Sequence, residues 1–184
     1  IVTMRLLTNP QRKIGAIWIK SKRTAAMVDG RYDLLIKHGN IIDGSGAPQR
    51  KADVGIRGDR IEEIGDLSSA HADVFFDASN RIVAPGFIDV HTHDDHALLS
   101  KPHMSYKTSQ GVTTVVAGNC GISLAPLRFM GDSLPPPLDL LGNGYKFPRM
   151  SDFFEAVDAN PPATNAAFLC GHTTLRVGAM KDLR

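Results

Sequence analysis

The 184-residue chain has only two cysteines, Cys120 and Cys170, no apolar run in its opening segment longer than six residues, and no acidic side chain among residues 1–26. Each shortage excludes something. Two cysteines without an export signal give no disulfide framework, so a reducing, cytoplasmic setting is expected. The apolar run Ile14 to Ile19 is too short for a secretory signal and far too short to span a bilayer. The formal charge of +2 is concentrated in the acid-free leader, which holds Arg5, Arg12, Lys13, Lys20, Lys22 and Arg23. Setting those six aside leaves 15 basic against 19 acidic side chains, so the basic balance is not a nucleic-acid footprint. Neither a nucleic-acid nor a membrane partner is expected. No internal repeat or coiled-coil segment is present, and 42% hydrophobic with 22% charged residues is ordinary globular composition.

The chain opens on isoleucine, and Met27 stands just before Tyr32-Asp33-Leu34-Leu35-Ile36, which reads like the start of a domain. Met27 is thus the expected native start, with residues 1–26 a basic leader outside the fold. Residues 27–84 read as a small β-rich unit. Leu34–Lys37 and Asn40–Ile42 flank His38-Gly39, Val54–Arg57 and Arg60–Ile64 flank the hairpin signal Gly58-Asp59, and Val74–Asp77 leads to Arg81-Ile82-Val83. Gly44-Ser45-Gly46-Ala47-Pro48 is a loop with no helix behind it, hence no phosphate cradle.

From Pro85 the pattern changes to strand followed by helix. Gly86–Val90 is a nearly continuous apolar strand, as expected of one buried on both faces of a parallel sheet. A helix is expected from about His96 to Gln110, a β-branched strand at Val112–Ala117, and an irregular Pro-rich stretch over 122–150 lying over the site. A helix capped by Ser151 runs to Ala159, where Asn160-Pro161-Pro162 stops it, and Ala166–Cys170 is a third strand. Parallel strands alternating with helices fit a doubly wound sheet or a (β/α)8 barrel. A barrel needs about 250 residues, and only 99 follow Pro85.

The run Pro85-Gly86-Phe87-Ile88-Asp89-Val90-His91-Thr92-His93-Asp94-Asp95 carries the chemistry. Side chains alternate along a strand, so His91 and His93 share a face about 7 Å apart and can converge on a borderline-soft cation such as zinc. Asp94 or Asp95 would cap the following helix, which does not account for paired histidines. Cys120, after the second strand, falls on the same sheet edge and could add a thiolate; alternatively it is a small buried residue beneath the loop. His172 ends the third strand on that edge and is a weak candidate for substrate binding, or only a backbone partner. Cys170 reads as core, and His38, His71, His96 and His103 as structural or solvent-facing.

Asn40-Ile41-Ile42-Asp43-Gly44-Ser45-Gly46, the Pro85–Asp95 run, Gly118-Asn119-Cys120-Gly121 and Gly171-His172-Thr173-Thr174-Leu175-Arg176 together resemble the amidohydrolase superfamily. The histidine run is shared across that superfamily. Asp94-Asp95 and the Asn119-Cys120-Gly121 cysteine resemble its D-aminoacylase, or N-acyl-D-amino-acid deacylase, branch, over residues 32–184. The resemblance implies an α/β fold: residues 85–184 as about the first three strands of an incomplete (β/α)8 metal-dependent hydrolase barrel, preceded by part of a small β-sandwich. It implies zinc, one or two ions, with His91 and His93 at the weaker position and Cys120 on the tightly held ion. It implies hydrolysis of the linear amide of N-acyl-D-amino acids. The branch's further ligand histidines and its catalytic aspartate come from later strands and have no counterpart in these 184 residues, so no catalytic residue is assigned in this chain. A truncated, inactive and poorly soluble fragment is expected. A cyclic-amide hydrolase of hydantoinase or dihydroorotase type, and a non-catalytic partial gene product, are the alternatives.

Overall fold

The structure, a computed structural model, describes residues 31–129, 133–142 and 146–180; the leader and Met27 lie outside them. Strand β1 runs unbroken over Arg31–Ile41, where the sequence suggested two segments flanking a turn at His38-Gly39. His38 adopts φ 63, and the pairing of β1 with β2 (Arg50–Arg57) shifts between Ile36 and Gly39. The extra residue is absorbed as a bulge rather than a reversal. Buried Asp53, opposite the bulge, accepts the His38 N–H at 2.8 Å and the Leu67 N–H at 3.3 Å, satisfying backbone groups that would otherwise be stranded. Strand β2 turns into β3 (Arg60–Gly65) through Gly58-Asp59, with Gly58 at φ 59, as the hairpin signal predicts. Strands β4 (His71–Asp77) and β5 (Ile82–Val83) both run parallel to β1, and the sheet order is β3-β2-β1-β4 with β5 also beside β1. Tyr32, Leu35, Leu67 and Ala72 pack together as this unit's core.

A second compact unit begins at Gly86. Strands β6 (Phe87–Thr92), β7 (Val112–Ala117) and β8 (Asn165–Phe168) form a wholly parallel sheet in sequential order. In place of one long helix after β6 there are two short ones, α1 (Asp95–Ser100) and α2 (Ser105–Thr108). Pro102 disfavours helical backbone at Lys101, which sits at φ −135, and Met104 then takes φ 46 before the chain resumes. Helix α3 spans Met150–Ala159 and α4 spans His172–Ala179. Arg149, not Ser151, occupies the α3 cap position and makes no side-chain cap bond; the Ser151 hydroxyl donates to Asp152 at 3.1 Å instead.

Among its described residues the stretch from Ile122 to Gly142 has one short 3-10 turn, Leu138–Leu141, yet supplies most of the core: Ile122, Leu124, Leu127, Leu138 and Leu141 pack with Phe153, Val157 and Val177. Phe168 meets Phe153 edge-on at 4.8 Å. Two expectations of burial fail. Strand β8 ends at Phe168, because the chain leaves the ladder so that the Gly171 N–H can donate to the buried Ser123 hydroxyl at 2.9 Å; Cys170 is left exposed rather than in the core. Strand β6 lies at the sheet edge, with Phe87, Ile88 and Val90 exposed to 66%, 51% and 58%. The apolar run is therefore not buried on both sides. No described helix is long and apolar enough to cross a membrane.

Candidate metal centre

Strands β6 and β7 are parallel, so both release their chains at the same edge of the sheet. His91 is the penultimate residue of β6 and His93 follows its end; Cys120 lies three residues beyond β7. The chain after β7 turns sharply: Gly118 has φ 86, Gly121 has φ 90, and the Gly121 N–H donates to the Gly118 carbonyl at 3.1 Å. Asn119 and Cys120 are the central residues of that turn. One ligand atom from each of His91, His93 and Cys120 lies within 4.8 Å of the others. The Cys120 Sγ is 3.1 Å from His93 Nε2, and the two imidazole rings are 6.2 Å apart, tilted by 51°.

Two nitrogens and one sulfur, gathered this closely and facing solvent, fit zinc, which binds imidazole at about 2.0–2.1 Å and thiolate at about 2.3 Å. Cys120 is exposed, which removes the alternative of a buried packing residue. His172 is the first residue of α4 and is not among the three donors.

The turn is fixed from the β8 side by two backbone bonds. The Leu169 N–H donates to the Ala117 carbonyl at 3.0 Å, and the Thr173 N–H to the Gly121 carbonyl at 2.8 Å. Below it, Thr174 and Ser123 are buried and doubly bonded: the Ser123 N–H donates to the Thr174 hydroxyl, which donates to the Ser123 carbonyl. These contacts give the Gly171–Arg176 segment a structural task that its sequence did not disclose.

A charged cluster also grips β6 next to the histidines, where the Asp89 carboxylate accepts the His91 N–H at 3.2 Å. Lys107 donates to Asp89 at 2.6 Å and lies 3.0 Å from Asp94 and 3.4 Å from the Thr92 hydroxyl. Thr92 and Tyr106 both donate to Asp94, at 2.5 and 3.0 Å. Burial pulls the Lys107 ammonium down, but hydrogen bonds to Asp89 and Asp94 more than offset it and leave its pKa raised. The Lys107 hydrogen bond holds the Asp89 carboxyl below the usual range. Burial, followed by the charge of Asp94, raises the Tyr106 phenol. Asp94 does occupy the α1 cap position, yet its carboxylate makes no cap bond, because this cluster claims it. Asp95 is buried with its pKa raised by that burial; it accepts the Leu124 N–H at 3.1 Å, tying the loop beyond Cys120 to the start of α1. Sequence alone missed Lys107 and Tyr106, since a lysine and a tyrosine in a polar stretch carry no pattern of their own, and it quoted Asn119 within its motif without assigning it a role.

Comparison with known proteins gives a consistent result. The model of the amidohydrolase family matches residues 74–183. The D-aminoacylase of Alcaligenes xylosoxydans xylosoxydans is 56% identical over 155 residues, covering 83% of this chain and 32% of the relative. The N-acyl-D-glutamate deacylase of the same organism is 53% identical over 152 residues, covering 83% and 31%. Among solved structures, an N-acyl-D-glutamate deacylase from Bordetella bronchiseptica, complexed with zinc and a phosphonate mimic of the tetrahedral intermediate, superposes with a TM-score of 0.78 at 49% identity, over 83% of this chain and 32% of that one. The chain thus spans about a third of the length of the relatives it matches.

Proposed function

We propose, on the premise that this chain belongs to the amidohydrolase family, that it forms part of a zinc-dependent hydrolase that removes the acyl group from N-acyl-D-amino acids. The observation that carries this reading is the convergence of His91, His93 and Cys120 at the C-terminal edge of a parallel sheet, the edge on which barrel enzymes of this topology build their sites. In the same reading, residues 85–184 are the first strand–helix units of a (β/α)8 barrel and residues 27–84 part of a small β-sandwich. The setting is cytoplasmic.

His91 and His93 would each offer an unprotonated ring nitrogen and Cys120 a thiolate. A zinc ion held there would supply Lewis-acid chemistry, acidifying water toward a pKa of about 7 and polarising the acyl carbonyl. The chain's own contribution is to fix the three donors. The turn at Gly118–Gly121 sets the thiolate, and the cluster around Lys107 holds the strand that bears the imidazoles. No proton-carrying residue is assigned among the described residues, and the substrate class follows the D-aminoacylase and deacylase relatives.

The test is metal content and turnover in a longer protein that contains this chain. Cys120→Ala lowers zinc per chain and slows hydrolysis of N-acetyl-D-amino acids, and a substrate panel shows hydantoins to be poor substrates. Unchanged zinc and turnover would remove Cys120 from the site, and a preference for hydantoins would replace the substrate class.

A further inference from the structure

The β6–β7 ladder is irregular where the donors are. Asp89 pairs with Val115 and Thr92 with Ala117, so Val90 and His91 together oppose the single residue Val116. Such a two-against-one bulge breaks the alternation of side chains and frees backbone groups from the ladder. The freed Val90 carbonyl accepts a hydrogen bond at 2.9 Å from the side-chain amide of Asn119. Asn119 immediately precedes Cys120 in the turn, and Val90 immediately precedes His91 in the strand. One hydrogen bond therefore joins the residue next to the thiol to the residue next to the first imidazole.

We infer that Asn119 is a positioning residue: its amide is the strut that sets the separation between Cys120 and the paired histidines. This rests on the metal reading above and goes beyond it by assigning a role to a side chain that offers no metal ligand. The turn's other bonds, from Leu169 and Thr173, come from the β8 side; the Asn119 amide provides the opposing tie toward β6. Partners bonded directly to metal ligands commonly change metal affinity by about 10–100-fold when removed; Asn119 acts through the neighbouring backbone, so the lower end of that range, about tenfold, is expected.

The experiment uses the 184-residue chain fused to a cysteine-free soluble carrier and titrated with Co(II) alone. The parent shows a thiolate-to-cobalt charge-transfer band that Cys120→Ser abolishes. Asn119→Ala, and Asn119→Leu, which keeps the bulk but loses the amide donor, weaken Co(II) binding about tenfold and shift the visible bands. Val157→Ala serves as the control: it loosens the core at α3, lowers the melting temperature and leaves the Co(II) spectrum unaltered, which separates positioning from general stability. Asn119 variants with the parent's affinity and band positions would overturn the strut alone. A parent without the thiolate band would refute the metal reading and the strut with it.

Discussion

Gly118→Ala should cost about 3 kcal/mol and displace Cys120, although no metal donor is touched. Two effects add. Gly118 sits at φ 86, a backbone region that charges a residue with a Cβ roughly 1–2 kcal/mol. A Cβ placed there would also lie 2.1 Å from the Leu169 carbonyl oxygen, which is backbone and cannot rotate aside. That oxygen must retreat by about an ångström, and the Leu169 N–H···O Ala117 bond that holds the turn goes with it, a further loss of about 1 kcal/mol. For a domain whose whole stability is about 5–15 kcal/mol this is a large fraction. Gly111→Ala isolates the first effect, since Gly111 has φ 80 in the same unit but its Cβ would meet the Phe87 ring at an ordinary 3.4 Å. In urea unfolding followed by circular dichroism, with a slope of about 1–3 kcal/mol per molar, Gly118→Ala should move the midpoint about 0.3–1 M further than Gly111→Ala. It should also shift the Co(II) spectrum, which Gly111→Ala should not. Equal midpoints and unaltered cobalt bands would show that the close approach to Leu169 does not hold the turn.

Other consequences follow from particular residues. Lys107→Met leaves the carboxylates of Asp89 and Asp94 facing each other without their cation; because the cluster is only partly buried, the loss should be about 2 kcal/mol, partly restored by Lys107→Arg, and a urea midpoint indifferent to the methionine would deny the cluster its role. Asp77 titrates at about 2, held down first by the Ser79 hydroxyl, then by the Ser79 N–H and His38. Its folded pKa lies below the ordinary 3.8, so its stabilisation is complete above about pH 4 and lost as pH falls through about 2. Asp77→Asn should accordingly flatten the stability profile across that window, and an unchanged slope would contradict the assignment. Exposed Phe87, Ile88 and Val90 should make the isolated chain bind a hydrophobic dye and self-associate, both reduced by Ile88→Thr; a monodisperse chain that binds no dye would show the face to be covered.

What the sequence disclosed, and what it hid, divides along physical lines. The Val112–Ala117 strand and the Gly58-Asp59 hairpin were legible because β-branched runs and glycine turns are local signals. The donors His91, His93 and Cys120 were legible because strand order alone places the ends of β6 and β7 on one edge. The bulge at His38 was not, because what stabilises it is Asp53, fifteen residues away. The Lys107 cluster and the Asn119 amide were hidden for the same reason: each is defined by partners at a sequence separation of 12 to 29 residues. Asp94 and Asp95 misled because an acidic pair before a helix is the usual capping signal, while here long-range partners compete for both carboxylates.

The site's ties and the sheet's apolar faces obey different dependencies. Every bond that positions Cys120 and the histidines runs between residues of the second unit: Asn119 to Val90, Leu169 to Ala117, Thr173 to Gly121, Leu124 to Asp95. The apolar side chains Phe87, Ile88 and Val90 of β6, by contrast, stand more than half exposed. Donor geometry is thus set locally while the surrounding apolar surface stays uncovered, and the two should respond separately to perturbation. Ile88→Thr should reduce dye binding without moving the cobalt bands, whereas Asn119→Ala should move the bands without changing dye binding. Were both variants to alter both signals together, the donors would have to depend on coverage of the sheet face, and the local account of the site would fail.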